Sequence, residues 1–162
     1  MRRLPLLVFV LLAPVAARAQ GVLDPAAPPR HGVLRLQSGF LPDPTLREVE
    51  AGGPDSASVG GCRGFVAGAA PALVLRYRAG RFGLTLSATP KDTEAETDLL
   101  LVVRTPDGQW LCDDDAGGDL RPRVVIRKPR SGPYAVWVAA YEPGAPVRAR
   151  MAVSEIGHTA GD

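Results

Sequence analysis

The densest chemistry in the chain lies in 109-QWLCDDDAGGDL-120, where Asp113, Asp114 and Asp115 follow one another and Asp119 comes after two glycines. Adjacent carboxylates repel, so a cation, backbone N–H donors or open solvent must make them tolerable. Asp98, Asp113, Asp115 and Asp119 offer hard oxygen ligands at one end of a hairpin, and the Ala116-Gly117-Gly118 turn offers carbonyls. Calcium takes such a set, roughly six to eight oxygens at about 2.3–2.6 Å. The spacing is neither that of an EF-hand loop nor that of a nonapeptide calcium repeat. The same residues also suit a structural arrangement, in which one or two aspartates accept backbone N–H groups in the glycine turn and the rest face water. The structural arrangement is the leading expectation, with Ca2+ as the cofactor of its alternative.

Hydrolytic chemistry needs a nucleophile, a base and an orienting group within hydrogen-bond reach. The two histidines, His31 and His158, stand near opposite ends of the chain, neither in the setting of a trypsin-like catalytic histidine. No GDSGG-type segment occurs, and Ser131 in 130-RSGPY-134 sits in a turn ahead of a strand. No catalytic residue is assigned, and no enzyme is expected. Recognition is the better use of the remaining groups. Trp137, Tyr141, Arg76 and Arg78, with Arg121 and Arg123, form a candidate ligand-binding surface, on which an exposed indole would stack on a sugar ring. If a loop covers that sheet face instead, Trp137 is a second core residue.

The N-terminus says where such a module would work. Arg2 and Arg3 precede an apolar run from Leu4 to Val15, and Ala17-Arg18-Ala19 follows, the pattern of a signal peptide cleaved after Ala19. The run is short for a membrane span of about 20 residues, so no stable membrane anchor is expected after cleavage, and the protein should be periplasmic or secreted. The full chain carries 19 Lys and Arg against 17 Asp and Glu; losing Arg2, Arg3 and Arg18 leaves 16 against 17, a net charge of −1. Nucleic-acid binding thereby loses its electrostatic argument. Export also makes Cys62 and Cys112, the only cysteines, a disulfide pair. Closing a loop of about 50 residues stabilises by roughly 4 kcal/mol in the chain-entropy account.

These residues need strands to hold them. Residues 20–32, with Pro25, Pro28 and Pro29, read as a flexible leader, 33–156 as one domain, and 157–162 as a frayed tail. Within the domain, nine short apolar segments alternate with Gly, Pro and Asp: 33–40, 45–52, 72–80, 82–88, 98–105, 109–112, 123–128, 133–141 and 147–155. Leu73/Leu75/Tyr77, Leu84/Leu86 and Tyr134/Val136/Val138 recur with period two, and helical spacing is nowhere sustained. Eight or nine antiparallel strands make an all-β sandwich or barrel. In 105-TPDGQW-110, Asp107-Gly108 predicts a two-residue type I′ hairpin. Its register sets Val103 against Cys112 and Leu101 against Asp114. Leu99, Leu101, Val103, Trp110 and Cys112 then share the core face, with Trp110 packed near the disulfide.

The order TDLLLVVRTPDGQWLCDDD followed by RPRVVIRKPRSGPYAVWVAAY resembles the bacterial pre-peptidase C-terminal domain family, over roughly residues 70–155. Asp98, Pro106, Gly108, Asp113, Asp114, Ser131, Gly132, Tyr134, Val136 and Val138 match its pattern. The segments 39-GFLPDP-44, 51-AGG-53 and 61-GCRGF-65 are similar to those of a group of exported proteobacterial proteins, some labelled serine peptidases. The resemblance implies a single jelly-roll-like β-sandwich that accompanies secreted peptidases without being their catalytic part. It also implies relatives that bind calcium or matrix polymers. The expected function is therefore a non-catalytic binding or accessory module for an extracellular or cell-wall polysaccharide or an envelope protein. A calcium-stabilised structural envelope protein is the second reading, and a serine hydrolase is disfavoured.

Overall fold

A computed structural model describes residues 23–91, 97–118 and 120–161, so the expected signal peptide lies outside the described residues. Among the described residues there is no helix, and eleven strands form two sheets. The strands are β1 (Val33–Gln37), β2 (Thr45–Ala51), β3 (Asp55–Val59), β4 (Cys62–Val66), β5 (Leu73–Arg78), β6 (Leu84–Pro90), β7 (Leu99–Arg104), β8 (Trp110–Asp113), β9 (Arg123–Ile126), β10 (Gly132–Ala140) and β11 (Val147–Ser154). The smaller sheet runs β2-β11-β6-β9. In the larger, β10 is the hub: β5 pairs one end of it, β7 the other, β4 touches its last residue, and β1, β8 and β3 flank these.

The period-two residues fill the space between the sheets. Leu73, Leu75, Tyr77, Leu99, Leu101, Val103, Tyr134, Val136 and Val138 from the larger sheet meet Val49, Leu84, Leu86, Met151 and Val153 from the smaller. This is the core that alternation predicts. All nine predicted segments are strands. The correction is one of number and pairing: β3 and β4 are additional, and β1 runs parallel to β5, with Arg35 opposite Arg76, so the sheets are not purely antiparallel.

The added pair explains a second core. Val59 pairs with Cys62 across Gly60-Gly61, both at positive φ, which is the two-residue turn whose twist suits a hairpin. The β3–β4 hairpin lies over the outer face of the larger sheet. There Ala57 and Val66 pack with Val74, Leu100, Val102, Ala135, Trp137 and Ala139, joined by Leu23. The Cys62–Cys112 disulfide, with Cα atoms 6.2 Å apart, fastens this cover to β8.

The β7–β8 turn differs from the predicted one. Thr105 pairs with Gln109, and the Gly108 N–H donates to the Thr105 carbonyl at 3.0 Å, with Gly108 at φ 85°. That is a three-residue loop, a type I turn ended by a glycine bulge. Proline favours the second position of a type I turn and supplies no N–H to a ladder. Pro106 therefore belongs in the loop, not in the strand where a two-residue turn would put it. The register moves by one: Val103 faces Leu111, Val102 faces Cys112 and Leu101 faces Asp113. A slip of one turns every side chain over. Cys112 and Trp110 consequently sit on the outer face with the second core, not with Leu99, Leu101 and Val103. Trp110 does pack beside the disulfide, its ring 5.5 Å from that of Trp137.

The leader and tail are also more engaged than their composition suggests. Leu23 is 5% exposed. The Asp24 and His31 N–H groups donate to the carbonyls of Ala69 and Ala72, at 2.9 and 2.8 Å. The Ala160 N–H reaches Ser87 Oγ at 2.8 Å. On the strap that follows Leu23, His31 Nε2 accepts the Glu50 N–H at 3.0 Å, on the side of β2 that no strand covers, and Arg30 pairs with the Glu50 carboxylate at 3.1 Å.

Burial and then the Arg30 charge hold the His31 imidazole below its ordinary pKa, against the pull of Glu50. A folded pKa below the unfolded value of about 6.5 means the unfolded chain binds the proton first. The contribution of His31 is thus complete above that value and is lost as pH falls through the folded pKa. Denaturant titrations should show stability declining between about pH 7 and 5. His31→Ala should be weaker at pH 7 and flatter across that window; an unchanged slope would remove His31 as the cause.

Candidate functional site

The aspartate stretch is a turn built by its own backbone. Gly117 donates to the Arg121 carbonyl at 2.8 Å, and Gly118 to that of Asp115 at 2.9 Å. Asp113 Oδ2 accepts two N–H groups, from Ala116 at 2.9 Å and from Arg123 at 2.8 Å. The second bond ties β8 of the larger sheet to β9 of the smaller, so Asp113 is a stitch between sheets. Asp114 and Asp115 face water. This is the arrangement expected first from the sequence.

Asp98 behaves differently. Its Oδ1 is buried without a hydrogen-bond partner, and burial, then the charges of Asp115 and Asp114, push its carboxyl pKa upward. Asp98 and Asp115 are therefore neighbours in the field sense. Asp119 lies outside the described residues. Among the described residues no group of three His, Cys, Asp or Glu side chains is placed to hold a metal.

The proposed ligand surface is rearranged. Trp137 is 1% exposed, inside the second core, with Nε1–H donating to the Ala69 carbonyl at 3.0 Å. It offers no stacking face, because the β3–β4 hairpin and Leu23 cover that side of β10. Tyr141 is 58% exposed, but it follows β10 at the end where its N–H meets the Asp98 carbonyl. Arg76 is paired with Pro133 at the other end. Eight residues of strand separate Pro133 from Tyr141, roughly 26 Å. Arg121 belongs to the aspartate turn and Arg123 to the smaller sheet. Of the predicted binding set, the structure keeps only Arg76 and Arg78 together.

Those two have a neighbour the sequence reading missed. On β5, Leu75 and Tyr77 point inward, so Arg76 and Arg78 point out; on β1, Leu34 and Leu36 do the same for Arg35 and Gln37. The parallel register sets Arg35 beside Arg76 and Gln37 beside Arg78. Arg35, Gln37, Arg76 and Arg78 are all exposed. The outward residues of β1, β5 and the adjoining end of β10 (Val33, Arg35, Gln37, Val74, Arg76, Arg78, Pro133 and Ala135) include no carboxylate. On the smaller sheet the reverse holds: Glu48 faces Arg150, Glu50 faces Arg148, and Lys91 and Arg30 reach Glu48 and Glu50. The signal for Arg35 was its alternation with Leu34 and Leu36, but a parallel pairing across 40 residues of sequence is invisible to local pattern.

The motif residues of the family resemblance have structural tasks. A Cβ on Gly132 would lie 2.7 Å from Pro106 Cβ, so the TPDG turn and the SGPY segment pack directly. Arg130 pairs with Asp107 at 3.4 Å. The buried Tyr134 hydroxyl donates to the Arg130 carbonyl at 2.7 Å and accepts its N–H at 2.9 Å. Ser131 Oγ accepts the Ala79 N–H at 3.0 Å. In comparisons with known proteins, no protein-family model and no curated protein matches the chain.

Leaving the partly buried Arg123 N–H unpaired costs on the order of 1–3 kcal/mol, while the exposed Ala116 N–H can turn to water. Asp113→Ala should lose about that much in urea unfolding, while the exposed Asp114→Ala should stay within about 0.5 kcal/mol of the parent. Equal losses would place the structural bonds elsewhere in the stretch.

Proposed function

We propose that the chain is an exported, non-catalytic binding or accessory module on a jelly-roll-like β-sandwich, whose ligand is an extracellular or cell-wall polymer or an envelope partner. The observation that carries this reading is the outward arginine patch, Arg35, Arg76 and Arg78, on a sheet face whose paired residues include no acid. Cations with no ion-pair partner among the described residues are available for a ligand. The non-catalytic part is supported by the engagement of the polar groups a hydrolase would use. Ser131 Oγ and His31 Nε2 each accept a backbone N–H. In a sedimentation assay with insoluble envelope polysaccharide, the protein should partition with the polymer. Arg76→Glu with Arg78→Glu should weaken this by at least about tenfold; partition unaffected by the double change would move the surface elsewhere.

A second reading, a calcium-stabilised structural envelope protein, is favoured by the buried, unpartnered Asp98 Oδ1 beside Asp115. A cation there would satisfy the oxygen and reverse the repulsion. Binding to the folded state at about 100 times Kd adds roughly 2.7 kcal/mol. The melting temperature in millimolar calcium should then exceed that in EDTA by about 2–8 °C. Asp98→Asn should abolish the rise. Identical melting in calcium and EDTA would end this reading.

A further inference from the structure

Resting on the binding-module reading, we infer that the arginine patch recognises an acidic polysaccharide, a chain of sugars that carries carboxylates, along β1 and β5. Arg76 and Arg78 stand two residues apart on one face, about 7 Å, and Arg35 lies one strand over, about 4.8 Å. Guanidinium forks at that spacing suit carboxylates on a regularly repeating polymer, since each fork takes both oxygens of one group.

The patch continues into a depression of ≈ 450 Å³ whose wall includes Arg78, Gln37, Arg81 and Phe82. Phe82 is 43% exposed, with the Arg81 guanidinium 5.8 Å from its ring centre. An accessible aromatic ring, an amide able to bond hydroxyls and one further cation, Arg81, are the groups a charged sugar engages. Glu155, which takes the Gly39 N–H on the rim, is held there and also accepts the Tyr77 hydroxyl.

A single-stranded nucleic acid fits this surface less well. Its bases need aromatic platforms along the path. Phe82 is a single platform, and the tryptophans on the same sheet face are taken: Trp137 is buried, and Trp110 lies 5.5 Å from it with Arg104 5.0 Å over its ring.

Affinity electrophoresis of the protein in gels containing polygalacturonate, methyl-esterified polygalacturonate or single-stranded DNA tests the inference. Retardation by polygalacturonate should fall at least about tenfold on esterification, and comparably in Arg76→Ala with Arg78→Ala. Arg76→Lys with Arg78→Lys keeps the charge but removes the forks, and should recover only a minor part. All these positions are exposed, so unchanged melting temperatures serve as the folding control. Phe82→Ala should weaken sugar binding without altering DNA retardation. Equal retardation by the esterified polymer, lost in the arginine variants, would overturn the carboxylate assignment and leave the binding module standing. DNA retarded as strongly as polygalacturonate, with full rescue by lysine, would make the patch a general polyanion surface and overturn the inference. No retardation by any polymer would overturn it together with the patch as a glycan site.

Discussion

Both faces of β10 are apolar. Tyr134, Val136 and Val138 point to the smaller sheet while Ala135, Trp137 and Ala139 point away from it, and all six are buried. A strand of that kind needs two covers, and a two-sheet domain supplies one. The second is improvised from the β3–β4 hairpin, the segment around Ala69 and the strap beginning at Leu23. The Ala69 carbonyl accepts both the Asp24 N–H and the Trp137 indole, so one acceptor holds the strap and the buried ring together. The disulfide closes this arrangement from the side, and its place on the outer face follows from the register of a single hairpin.

Local alternation was the legible part. The nine apolar segments, the inward residues and the cysteine pair could all be read from sequence because each depends on near neighbours or on a count. The β3–β4 hairpin is hard to see in the sequence because Asp55–Val59 offers little apolar content on either side of Gly60-Gly61. The β7–β8 register differs from the one Asp107-Gly108 alone implies because Pro106, with its missing N–H and fixed φ, decides the loop. The register puts Cys112 and Trp110 on the outer face, and the unforeseen β3–β4 cover makes the outward-pointing Trp137 the second core residue that the sequence left as its alternative. The aspartate turn was read correctly in kind because Gly117-Gly118 makes N–H donors available beside Asp113. Its one unusual member, Asp98, could not be distinguished without knowing which oxygen is buried.

Charge is distributed unequally between the two sheets. On the smaller one, cross-strand pairing of Glu48 and Glu50 with Arg150 and Arg148 makes the outer surface self-satisfied, and Lys91 holds the Glu48 carboxyl below its usual pKa. On the larger one, the portion the second core needs is covered, and the portion left open is arginine. The cover and the open patch are thus parts of one sheet divided by where the hairpin stops.

The bond from the Glu50 N–H to His31 has a meaning for the molecule in company. β2 is the outermost strand of its sheet, and an unpaired strand edge is a template on which another chain can add. The imidazole and Arg30 occupy that edge at Glu50, so the strap works as a guard against self-association. Its hold weakens under the same acid conditions that charge the imidazole.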